Sequence, residues 1–145
     1  MAESTVWTAL KKGMKPYWRH ARRHEDTIGV GVSDVSYYYE GNGWIELKEV
    51  KKLPARATTG ITLGQWHNNS GAQRFWLTQR EGWLFVRVNA PEKIWLLFDH
   101  CHLPPWEMEE RWTWDQFTLN ANTMWTPRVD WEEFADLIKV RDEIF

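Results

Sequence analysis

Residues 35–50 constrain this chain more than any other stretch. Val35 to Tyr39 is a run of β-branched and aromatic residues, Gly41-Asn42-Gly43 is a turn signal, and Trp44 to Val50 reads as the returning strand. The segment therefore reads as an antiparallel hairpin. Three charged residues, Glu46, Lys48 and Glu49, interrupt the returning strand. Glu46 and Lys48 lie two positions apart and therefore share one face of the sheet.

Asp34 stands just before the first strand. With 41–43 as a three-residue turn, position 40 faces 44, 38 faces 46 and 34 faces 50. Asp34 and Tyr38 then share the face of Glu46, but Asp34 sits four positions along, roughly 13 Å at strand rise. Bringing the two acids together requires a bend or a bulge. Gly29 and Gly31, within Ile28–Val32, permit one.

The flanking segments predict helices and further strands. Ser4 or Thr5 can cap a first helix with Trp7, Leu10, Met14 and Trp18 at helical spacing, and Pro16 kinks or divides it. Residues 51–60 read as a loop. In 62–81 the second part reads as a helix with Ser70 as cap, Phe75 and Trp76 on the buried side and Gly82 at its end. Trp83–Val88 and Ile94–Phe98 read as paired strands across a turn at 89–92. Residues 103–108 are irregular, and 111–126 give no clear periodicity. Asp130 and Glu133 form a capping box for a last helix, with Trp131, Phe134, Leu137, Ile138 and Arg141 following. The expected architecture is mixed α/β (α+β), a central mixed sheet flanked by helices, in one domain spanning residues 1–145.

Composition narrows the setting. The single cysteine, Cys101, allows no intrachain disulfide, which suits a reducing cytosol. No apolar run approaches a membrane span, and Met1 to Thr8 is too polar for a signal peptide, so a cytoplasmic location with no membrane partner is expected. Twelve tryptophans spread from Trp7 to Trp131 supply core filling, with some left for an interface or a stacked ligand. The net charge of −2 is uneven: residues 1–60 carry ten Lys/Arg against seven Asp/Glu, and 61–145 carry eight against thirteen. A polyanion would therefore dock on the first half. Lys11, Lys12, Lys15, Arg19, Arg22 and Arg23 either grip phosphates or form an ordinary solvated helix face.

Asp34, Glu46 and Lys48 carry the clearest chemistry. Hydrolysis of a phosphodiester needs an activated water, neutralised phosphate charge and help for the leaving oxygen. A hard cation such as Mg²⁺ supplies these when carboxylates hold it with positions left open. Asp34 and Glu46 offer such oxygens with the Leu47 carbonyl nearby, and the Lys48 ammonium can orient the water or stabilise transition-state charge. Other motifs are weaker. His100-Cys101-His102 lacks a partner for zinc, His67-Asn68-Asn69 has no second half of an HNH site, and His20 and His24 fall in the basic region.

Arg23-His24-Glu25-Asp26, Gly29, Gly31, Ser33-Asp34 and Trp44-Ile45-Glu46-Leu47-Lys48 together resemble the PD-(D/E)XK nuclease superfamily, in particular small phage-type endonucleases and Holliday-junction-resolvase-like proteins. The resemblance covers residues 22–50 and extends weakly to Gln73-Arg74-Phe75-Trp76-Leu77. Ser33 stands where that family has proline, and Asp26 where it has asparagine. The resemblance implies a restriction-endonuclease-like core. It implies Glu25, Asp34 and Glu46 as Mg²⁺ (or Mn²⁺) ligands with Leu47, Lys48 as the catalytic lysine and Gln73 as a helper near the phosphate. It further implies a homodimer acting on branched DNA, and a phage origin. The other reading of the residues is a catalytically silent nuclease-like fold or a tryptophan-rich binding module.

Overall fold

The structure, a computed structural model, describes residues 5–24, 34–67 and 70–140. Six strands form one mixed sheet in chain order: β1 (His20–Arg23), β2 (Val35–Tyr38), β3 (Asn42–Val50), β4 (Trp83–Val88), β5 (Ile94–Phe98) and β6 (Thr123–Trp125). Neighbours are antiparallel except β3 and β4, which run parallel. A parallel pair needs a crossover. Residues 51–82 supply it, with a 3₁₀ turn at Gly64–His67 and the helix α2 (Ala72–Gln79). The other helices are α1 (Thr5–Met14), α3 (Trp114–Asn120) and α4 (Trp131–Ile138). Among the described residues no helix is long and apolar enough to cross a membrane.

Strand alternation divides the interior into two cores. Val35, Tyr37, Ile45, Leu47, Phe85 and Leu97 project to one face, where α1 (Val6, Trp7, Leu10, Met14) and α4 (Phe134, Ala135, Ile138) cover them. Val50, Leu84, Val86, Val88, Leu96 and Phe98 project to the other, under Ile61, Leu63, Trp66, Leu77 and Phe117. Glu46 and Lys48 are on this second face by parity, so α1 lies across the sheet from them.

The hairpin register differs from expectation. Val35 pairs with Ile45, Ser36 with Trp44, Tyr37 with Gly43 and Tyr38 with Asn42. The turn is therefore Tyr39-Glu40-Gly41, with Glu40 at φ 59° and Gly41 at φ 154°, and Tyr39 N donates to Gly41 O at 3.0 Å. Asn42 and Gly43 belong to β3. Gly43 serves packing, because a Cβ there would overlap the Tyr37 ring. That ring is fixed by its hydroxyl, which donates to Ile138 O at 2.6 Å and ties the hairpin to the end of α4. The same register places Asp34 opposite Glu46, not Val50, so no bend is required to unite them.

Other expectations divide. β4 and β5 have the expected bounds, and α1 ends ahead of Pro16, leaving Trp18 outside it, stacked on Tyr37. Phe75, expected inside, is 65% exposed; α2 buries Gln73 and Leu77 instead. Gly71 is the N-cap of α2 rather than Ser70. Residues 111–126 form α3 and β6, and a Thr113/Gln116 capping box starts α3. Asp130 caps α4 through Glu133 N, but the Glu133 side chain accepts from Trp125 Nε1 at 2.6 Å and does not close the box. Ile28–Val32, Ser33, Asp26 and Arg141 lie outside the described residues.

Candidate active site

β3 carries the site because its two faces do different work. Ile45 and Leu47 anchor it in the α1/α4 core, and Glu46 and Lys48 are left on the side where α2 crosses over. α2 lies over them and presents Gln73 downward, and Gln65 joins from the 3₁₀ turn. Arg23, Asp34, Glu46, Leu47, Lys48, Gln65 and Gln73 line one cleft of about 270 Å³. Asp34, Glu46, Leu47, Lys48 and Gln73, which resemblance and spacing singled out, thus come together in space. Glu25 lies outside the described residues.

Backbone geometry fixes Asp34. Its carbonyl accepts from His24 N at 2.7 Å, which extends the β1–β2 ladder, and its Oδ2 accepts from Leu47 N at 2.9 Å. A strand residue offers its N–H and C=O on the same edge. The Leu47 carbonyl is therefore directed to the edge at which Asp34 sits.

Glu46 is 2% exposed. Burial, reinforced by the Asp34 charge within hydrogen-bonding reach, holds its pKa well above the ordinary glutamate value, and the Lys48 ammonium only partly opposes this. Lys48 Nζ is 3.2 Å from Glu46 Oε2. Glu46 Oε1 and Gln73 Oε1 are both buried without a hydrogen-bond partner. An orphaned buried acceptor costs about 1–3 kcal/mol. His67 is buried nearby and accepts from Leu63 N at Nδ1, 2.9 Å; burial lowers its pKa, with the Arg111 and Lys48 charges adding to this.

The predicted phosphate-binding cations separate. Arg23 lines the cleft, although its pairing with Val35 puts it on the α1/α4 side of β1, and Arg22, paired with Ser36, is on the Glu46 face. Lys11 and Lys12 are on α1, across the sheet, with Lys15 just past its end, and Arg19 lies at the far end of β2, donating its N–H to Tyr38 O. Proximity in sequence misled here because Pro16 breaks the segment and β1 leaves on another side of the molecule. Gln65 was not anticipated; a lone glutamine in an irregular segment carries no periodic signal. Among the described residues no group of three or more His, Cys, Asp or Glu is placed to hold a metal. At His100-Cys101-His102, His102 Nδ1 pairs with Asp99 instead, at 2.6 Å.

Comparison with known proteins finds no matching family model, curated protein or solved structure.

Proposed function

We propose that this chain is a Mg²⁺-dependent endodeoxyribonuclease with a restriction-endonuclease-like core of the PD-(D/E)XK kind, cutting branched DNA. The observation that carries the reading is the convergence of Asp34, Glu46 and Lys48 in one cleft, with an orphaned carboxylate oxygen on Glu46. A fold gains nothing in stability from two apposed acids, one of them deeply buried. Such an arrangement is characteristic of sites retained for chemistry.

The residues fit a hard divalent cation. Asp34, Glu46 and the Leu47 carbonyl would hold it, Glu25 would complete the set, and Mn²⁺ would substitute. Bound there, Mg²⁺ supplies charge neutralisation at the phosphate and a more acidic attacking water. As a ligand Glu46 would be ionised, its buried charge balanced by the cation and by Lys48. Lys48 places its Nζ 3.2 Å from Glu46, where it can orient the water or donate to the phosphoryl oxygen that gains charge. Gln73 closes the cleft from α2 as a helper near the phosphate, and Arg23 holds the backbone at its mouth. Symmetric cutting of two strands would call for a homodimer.

The test is incubation of the protein with a four-way junction, linear duplex and single strand, in Mg²⁺ and in EDTA, repeated with Glu46→Ala. Cleavage in Mg²⁺ that EDTA and the substitution each abolish is expected. No cleavage under any condition, or cleavage untouched by Glu46→Ala, would sink the proposal.

A further inference from the structure

An aromatic wall adjoins the acid pair on the same face of the sheet. Trp44 precedes Glu46 by two residues, about 7 Å along the strand. Trp76 from α2 meets Trp44 edge-on, with centroids 5.6 Å apart and planes at 85°. The Arg80 guanidinium lies 3.5 Å from the Trp76 ring centroid. On the other side the His24 ring is 5.6 Å from Trp44, with its Nε2 2.8 Å from Ser36 Oγ. Trp44 and Trp76 are only partly buried, Arg80 is exposed, and Trp76 Nε1 is a buried donor without an acceptor.

Trp44 packs against the second core, yet Trp44, Trp76 and Arg80 all keep exposed surface. Two partly open indoles and a stacked guanidinium offer faces and edges that match those of a nucleobase. Every base has a π-face, so stacking on tryptophan is sequence-tolerant. A base inside a continuous duplex is already stacked and must be extruded at a cost to reach such a wall. An unpaired base reaches it without that cost.

Resting on the nuclease reading above, we infer that Trp44, Trp76 and Arg80 form a subsite for an unpaired base beside the scissile phosphate. The substrate class is DNA with an unpaired nucleotide at the cut, such as a flap, a bulge or an open junction. This makes the substrate preference a property of the site rather than of phosphate contacts.

The experiment uses the full chain in EDTA, so that binding is read without cleavage. A 2-aminopurine is placed in turn at each position of a flap near its branch and of the matching duplex. Fluorescence reports stacking, and anisotropy reports affinity. The wild type should quench 2-aminopurine at one flap position and bind the flap at least tenfold more tightly than duplex. Trp44→Ala and Arg80→Ala should weaken flap binding about tenfold and relieve the quench with little change on duplex, and Trp44→Phe should restore both. Equal losses on flap and duplex, a quench that survives Trp44→Ala, or a Trp44→Phe protein no better than Trp44→Ala would overturn the subsite. Cleavage of all substrates by wild type in Mg²⁺ without any quench would remove the subsite and leave the nuclease. A quench without cleavage in Mg²⁺ would do the reverse.

Discussion

Glu46 is where the sequence and the fold conflict most. A carboxylate that is 2% exposed, beside a second acid, favours its protonated form. Its folded pKa lies above the ordinary value of 4.5, so the folded state binds its proton more tightly than the unfolded chain. That contribution to stability is full below about 4.5 and declines as pH rises through the raised folded value. In EDTA, the urea midpoint of the wild type should therefore fall with rising pH more than that of Glu46→Gln. At pH 8 the variant should be the more stable by about 1–3 kcal/mol. Parallel pH curves for the two proteins would show that Glu46 does not carry this cost. The acid–x–lysine spacing was legible because alternation fixes which residues share a face. The burial of Glu46 was not, because it depends on α2 arriving from nearly thirty residues away.

At the scale of elements the hairpin is the instructive case. Its existence, both strands and the parity of Asp34 with Glu46 were all readable from the sequence. The register was not, because Gly41-Asn42-Gly43 offers two glycines and only Gly41 takes the turn. Gly43 is required by the Tyr37 ring, whose hydroxyl contact is 101 residues away at Ile138. Gly43→Ala should therefore destabilise the fold by about 1–3 kcal/mol through overpacking, read in urea unfolding. In a Tyr37→Leu background Gly43→Ala should cost less than it does in the wild type; an equal cost in both would mean that the glycine serves something other than the ring. α3 and β6 escaped the sequence reading because both are short. The Thr113/Gln116 box was the one local signal of α3, and β6 is fixed by pairing with β5 rather than by its own three residues.

Across the whole molecule, the sheet decides which charges can serve the cleft. Lys11 and Lys12 on α1 lie on the opposite side from Glu46, whereas Arg22 is on the Glu46 face by register and Arg23 lines the cleft. Replacing Lys11, Lys12 and Lys15 together by Gln should change DNA affinity less than twofold. Replacing Arg22 and Arg23 by Gln should weaken it about tenfold and reduce the salt slope by about 1–2, measured by anisotropy between 50 and 200 mM salt. The reverse ranking would place the DNA on the α1 face, away from the acid pair.

The most direct measurement is the single-turnover cleavage rate of a labelled four-way junction in Mg²⁺, for the wild type, Asp34→Asn and Lys48→Met side by side. The prediction is cutting by the wild type and a loss of at least a hundredfold in each variant, with the junction still bound. Variants that cut at the wild-type rate, or a wild type that binds the junction and leaves it intact, would contradict the claim that Asp34, Glu46 and Lys48 form a catalytic centre.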